Sequence, residues 1–264
     1  MAFHFCPNLK KHKLLAWYFL MSAFTRNRTD GYKPLFFLFC LFALGWITVL
    51  LYAGGMTTSI KAGMAFLDWP LSNGSVNPAG WLTESDKMAE HSHRLLGMKI
   101  GILSIGLFLW TYLRESREWV RTLARVLLWV VILQGLLGGA RVRFDQLNIM
   151  SDHNLLAQGF AVIHACGAMV VLGILVTLTL ASTRRWIEAS GGLNIQQPVG
   201  VKRWGIIATV AIFLQILVGA IMRHADAGLA LVKFPMSTAT TWLPTYWNFD
   251  VSVHFAHRIG AILV

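Results

Sequence analysis

The chain has 264 residues, of which 56% are hydrophobic and 13% charged, and its formal net charge is +11. Soluble domains carry about 25% charged residues, so this composition excludes an ordinary soluble protein. The basic excess does not point to nucleic acid either, because it is confined to alternate loops between apolar blocks.

Residues 1–33 form a basic tail with Lys10, Lys11, Lys13, Arg26, Arg28 and Lys33. Its apolar stretch Leu14–Phe24 lacks a small-x-small cleavage site, so an interfacial helix is expected there rather than a signal peptide. Crossing the hydrocarbon takes roughly 20 apolar residues as a helix. Five blocks qualify: Pro34–Gly55, His93–Leu113, Ala124–Gly139, Leu155–Ala181 and Trp204–Met222, the third only with its flanks. A sixth opens near Val253 and stops at Val264, so the chain is expected to be truncated inside its sixth helix. Arg114, Arg117, Arg121 and Arg125 lie between spans two and three, and Arg184, Arg185, Lys202 and Arg203 between spans four and five. The alternate loops hold Asp68, Glu84, Asp86, Asp145, Asp152, Asp226 and Asp250. This positive-inside pattern predicts a cytoplasmic N-terminus in a bacterial inner membrane, with the loops after spans one, three and five outside. Cys6, Cys40 and Cys166 are scattered, with Cys40 and Cys166 inside spans as small core residues. No CxxC or CxxCH occurs, so covalent haem attachment has no sequence support.

The chain repeats itself. Ala62-Gly63-Met64-Ala65 and Trp69-Pro70-Leu71-Ser72 recur as Ala227-Gly228-Leu229-Ala230 and Phe234-Pro235-Met236-Ser237, at an offset of 165 residues. His93-Arg94 recurs as His257-Arg258 at an offset of 164. Span one therefore corresponds to span five and span two to span six. A four-helix unit keeps its orientation from copy to copy, which is a parallel repeat about an axis along the membrane normal. The expected fold is all-α and transmembrane: two pseudo-symmetric four-helix bundles, eight helices when complete. The expected division is a tail (1–33), an N-terminal bundle (34–185), a cytoplasmic linker (186–202) and the start of a C-terminal bundle (203–264).

Ionisable groups inside membrane helices are costly and are functional candidates by default. His93 opens span two, and His164 lies nine residues into span four. Both spans enter from outside, so both histidines fall in the outer half of one bundle. Such a pair can ligate one haem iron axially, whereas a lone membrane histidine is as readily a hydrogen-bonding core residue. His257 recurs at the position of His93, which favours a ligand role for both. Arg94 and Arg258 suit haem propionates, or else snorkel to headgroups. Glu90 shares a helix face with His93 and Arg94, while the second half has His254 at that position. This asymmetry suits an enzyme with one cofactor haem and one substrate haem. His91 faces away from His93 and is expected to be solvated, as are His4, His12, His153 and His224. Gln134 and Gln215 precede small-residue steps and are assigned to helix packing.

These motifs resemble the haem A synthases, membrane enzymes of cytochrome oxidase assembly. The resemblance is carried by Gly54-Gly55, Asp68-Trp69-Pro70-Leu71, Glu90-His91-Ser92-His93-Arg94, Gln134 to Gly139, His164 and His257-Arg258, and it runs from about Pro34 to Val264. It implies that His93 and His164 hold the substrate haem O, and that His257 holds haem b with a histidine in span eight. It implies oxidation of a ring methyl of haem O to the formyl of haem A, with Glu90 as the assisting carboxylate. It also implies a haem O-producing farnesyltransferase and oxidase assembly components as partners, and a homo-oligomer. Some members carry a cysteine pair in the first outer loop; Ala65 and Ser72 stand there here. A b-type bis-histidine cytochrome that only passes electrons, a proton-relay transporter and an assembly factor without chemistry are the alternatives.

Overall fold

The computed structural model describes residues 31–146, 154–190 and 198–264. The tail, with its expected interfacial helix, and His153 lie outside the described residues. The described residues are helical: α1 (Pro34–Ser59), α2 (Ser85–Arg114), α3 (Glu118–Gln146), α4 (Leu155–Ala181), a short α5 (Arg184–Ser190), α6 (Val199–His224) and α7 (Phe249–Leu263). Five of them, α1 to α4 and α6, are long and apolar enough to cross a membrane. The chain is a multi-pass membrane protein.

Helices α1 to α4 close into a bundle in which each packs on the next and α4 returns to α1. The seam between them follows helical spacing: Phe36, Cys40, Ala43 and Ile47 from α1, Ile100, Ser104, Leu107 and Thr111 from α2, and Val120, Ala124, Leu127 and Val131 from α3. Steps of four, three and four residues keep each set on one face. Small residues such as Cys40, Ala43 and Ser104 let the helices approach closely. Cys40 and Cys166 are both buried thiols, as expected.

Helix ends are set locally. Pro34 occupies the first turn of α1, where its missing N–H costs nothing. Asn154 caps α4 by accepting from the Ala157 amide (3.1 Å), and Asn248 caps α7 by accepting from Val251 (2.8 Å). At the end of the bundle opposite the α1–α2 loop, buried Glu115 accepts from Arg117 through its Nε (2.9 Å) and backbone amide (3.1 Å). Lys33 stands 3.7 Å from the same carboxylate, and Arg117 also donates to the Ala181 carbonyl (2.8 Å). One carboxylate thus ties together the start of α1, the end of α2 and the end of α4.

The repeat is legible in backbone detail. Trp69–Pro70 and Phe234–Pro235 are both cis, and Lys61 and Asp226, 165 residues apart, share the left-handed conformation with φ of 55°. These two equivalent residues also meet, Lys61 Nζ to Asp226 Oδ2 at 3.2 Å. Contact between equivalent positions is what a two-fold axis produces. The pseudo-axis therefore passes between them. Beside it, α6 packs on α4, and Arg223 donates to the Gly55 carbonyl (2.8 Å) and the Ser59 hydroxyl (2.5 Å).

Candidate functional site

The α1–α2 loop is folded down on the bundle by α2. Glu90 is buried, and its Oε2 accepts from the Phe66 amide at 3.0 Å. Its Oε1 accepts from Arg94, through Nε at 3.1 Å and in a second, very short contact through Nη2. The rest of the Arg94 guanidinium donates to the Asp68 carbonyl (2.6 Å), the Phe66 carbonyl (3.0 Å) and the Leu71 carbonyl. All five N–H groups of Arg94 thereby have protein acceptors. The propionate partner expected at this position is instead a clamp on the loop. Asp68 adds a tight turn, accepting from the amides of Asn73 and Gly74, each at 2.7 Å. Burial raises its carboxyl pKa, but these two amides and the nearby Arg94 charge outweigh that and hold it below the ordinary range.

The second half repeats the clamp with a different residue. His254 Nδ1 accepts from the Leu231 amide (3.2 Å), and its Nε2 faces Arg258 Nε (3.2 Å). Arg258 donates to the carbonyls of Leu231 (2.6 Å) and Met236 (3.3 Å). Leu231 and Met236 are the repeat equivalents of Phe66 and Leu71. The Glu90/His254 difference thus has a structural account: both side chains stand between the loop amide and the arginine, the carboxylate accepting from both and the imidazole accepting from the amide through Nδ1.

His91 is not solvated. It is buried, with Nδ1 2.9 Å from Ser72 Oγ, Nε2 3.2 Å from the Val76 carbonyl, and its ring edge-on to Trp81. Phe255, its repeat equivalent, stands in the same relation to Trp247, with centroids 5.3 Å apart. An apolar residue at the equivalent position was the signal that this ring packs under the loop.

His93 and His164 are brought together. His93 is the ninth residue of α2 and His164 the tenth of α4, about 12 and 14 Å along their helices. Their ring centroids are 6.4 Å apart, with the planes at 86°. Metal–nitrogen bonds of about 2 Å, with about 1.1 Å from each nitrogen to its ring centre, place two such centroids about 6.2 Å apart across one metal. The Nδ1 atoms of both rings are buried without a hydrogen bond of good geometry, the backbone of Leu50 standing beside His93 and that of Gln134 beside His164. A glycine makes the space for one ring, since a Cβ on Gly54 would lie 2.8 Å from His93 Cε1; one on Gly138 would make ordinary contact with His164 Cε1 at 3.6 Å. Among the described residues, no group of three or more His, Cys, Asp or Glu could hold a bare metal ion. A haem iron needs only axial ligands from the protein, so this pair fits a haem.

The third histidine stands in the same kind of cradle. A Cβ on Gly219 would lie 2.7 Å from His257 Cε1. Gln215, one turn before Gly219, places its amide 3.0 Å from His257 Nδ1 and 2.8 Å from the His257 carbonyl. It also fills the notch left by Gly260, as Gln134 fills that of Gly167. Packing alone was expected of Gln215. The missed signal is the shared spacing, Gln-x-x-x-Gly on one helix and His-x-x-Gly on the next, in α3/α4 and again in α6/α7.

A family model described as cytochrome oxidase assembly protein (COX15-CtaA) matches residues 82–264. The chain is similar to the heme A synthase of Bacillus licheniformis, with 32% identity over 230 residues, covering 84% of this chain and 70% of that protein. It is 28% identical to the heme A synthase of Shouchella clausii, covering 84% of this chain and 69% of that protein. The heme A synthase of Halalkalibacterium halodurans is also 28% identical, with coverage of 85% and 70%.

Proposed function

The chain belongs to the COX15-CtaA family of cytochrome oxidase assembly proteins, and from that premise we propose that it forms haem A by oxidising a ring methyl of haem O to a formyl group. His93 and His164 would hold the substrate haem O, and His257 would help hold a cofactor haem b. Haem b, when bound, supplies the redox chemistry. The observation that carries the reading is the His93–His164 pair at 6.4 Å, with glycines against both rings. The chain's own residues position and enclose. Gly54 sets the depth of the His93 ring, while the Arg94 clamp holds the first loop over the bundle. Glu90, beside His93, is the carboxylate placed to assist by stabilising developing positive charge or carrying a proton. The basic loops support a cytoplasmic N-terminus, which puts the clamped loops outside an inner membrane.

The test is a spectrum and a haem extraction. The protein, co-expressed with a haem O-producing farnesyltransferase, is purified in detergent and its haem identified by mass. Haem A is the expected product, lost in His93→Ala and His164→Ala. Haem B alone, unchanged by either substitution, would defeat the reading. The second reading is a bis-histidine b-type cytochrome. It is favoured by the equivalence of Glu90 and His254 in the two loop clamps, and it predicts haem B bound through His93 and His164 with no haem A formed.

A further inference from the structure

With Arg94 committed to the loop, the His93/His164 site needs another partner for the acidic edge of a porphyrin. A carboxylate taken out of water is tolerated when a charged donor meets it, and a guanidinium meets it through two parallel bonds. We propose that Arg141 is the propionate anchor of the His93/His164 site, an inference that rests on reading that site as a haem site.

Two observations place Arg141 there. Gly138 of α3 lies against His164 Cε1, and Arg141 follows three residues later, on the same helix face and one turn nearer the α1–α2 loop. Its guanidinium is half-buried beneath the first loop, where Gly63 covers it with bare backbone. A Cβ at Gly63 would meet Nη1 at 2.8 Å, Nη2 at 3.0 Å and Cζ at 3.2 Å. The loop backbone thus comes down on the guanidinium, and a side chain at position 63 would displace it. Arg141 thus lies between the loop that roofs the site and the turn of α3 that touches His164, where a propionate contact would fall. A planar fork suits that contact better than the point charge of a lysine.

The experiment compares haem B with its dimethyl ester, which keeps the ring and iron but removes both negative charges. Binding is followed by the absorption spectrum of the purified chain carrying His257→Ala, so that the signal comes from the first site. The acid is expected to bind more tightly than the ester by about tenfold or more, the range of a charge-assisted bond. Arg141→Gln should bring that ratio to about one while leaving ester affinity unchanged, and Arg141→Lys should restore part of it. Gly63→Ala, a second route to the same effect, should lower acid affinity alone. A ratio that stays at the unaltered value in both Arg141→Gln and Gly63→Ala overturns the anchor while leaving the haem site standing. Binding that survives His93→Ala, or no binding by the His257→Ala chain, overturns the haem site and the anchor with it.

Discussion

Gly54→Ala separates helix stability from ligand geometry, because the two respond in opposite directions. Replacing glycine by alanine in a helix interior gains about 0.5–1 kcal/mol from backbone entropy and propensity. At Gly54 the new methyl would stand 2.8 Å from His93 Cε1 and 3.2 Å from Nδ1, where ordinary contact begins at 3.4 Å. The buried ring must recede by about 0.6 Å, more than the roughly 0.5 Å tolerance of a preorganised site. Gly55→Ala is the control, with nothing within 4 Å of its Cβ on the same helix. Both variants are purified in detergent, melted by circular dichroism and titrated with haem B in the His257→Ala background. Gly54→Ala should melt within a few degrees of the unaltered chain and lose haem affinity by about tenfold or more, as disturbed support of a metal ligand does. Gly55→Ala should keep the unaltered affinity. Equal affinities in the two variants would refute the cradle, and with it the claim that Gly54 sets the depth of His93.

The loop clamp and the opposite end of the bundle give further tests. Glu90→Ala leaves Arg94 buried without its carboxylate; their side chains are only 5% and 11% exposed. Breaking such a pair costs about 3–5 kcal/mol, read as a lowered melting temperature and faster proteolysis within residues 60–84. Glu90→His copies the second half, where His254 accepts from the loop amide through Nδ1 and stands beside the arginine. It should melt like the unaltered protein and yield no haem A by mass analysis if Glu90 assists the chemistry; undiminished haem A would make Glu90 a clamp alone. Burial raises the Glu115 carboxyl pKa, but the hydrogen bonds from Arg117, with the Arg117 and Lys33 charges, outweigh that and hold it below its ordinary 4.5. Its stabilisation is therefore complete above about pH 4.5 and lost as pH falls through the lower folded value. Melting curves from pH 7 to 3 should show this loss, and Glu115→Gln should flatten it.

The spans were legible because lipid demands long apolar blocks, and Leu155–Ala181 matches α4 to the residue. Helix ends were legible only where lipid sets them. Span two was expected from His93, yet α2 begins at Ser85, because its first two turns pack under the folded loop and need not be apolar. Span three was expected over Ala124–Gly139, yet α3 runs from Glu118 to Gln146 and carries Arg121, Arg125 and Arg141 within the helix. Charged residues at helix ends reach the interface and read as loop in a hydropathy pattern. His91 was misjudged for a related reason. Spacing tells which face a residue occupies, but not that a distant loop covers that face. Arg94 likewise looked available to a ligand, because its backbone acceptors, the Phe66, Asp68 and Leu71 carbonyls, have no signature in side-chain identity.

The ligands come from the second and fourth helices because the working unit is smaller than the bundle. In each helical hairpin, a glycine near one end of the first helix receives the histidine ring of the second: Gly54 with His93, Gly138 with His164, Gly219 with His257. A bare Cα lets the ring lie against the backbone, where it is held at a fixed depth and kept from lipid. Two such hairpins, packed face to face in α1–α4, bring their rings to 6.4 Å. The position one turn before the glycine then differentiates the hairpins. It is Leu50 beside His93, Gln134 beside His164 and Gln215 beside His257, where the amide reaches Nδ1. A hydrogen bond at Nδ1 fixes how an imidazole is oriented and how strongly its other nitrogen binds a metal. The three histidines thus share a cradle and differ in the group that stands one turn before its glycine.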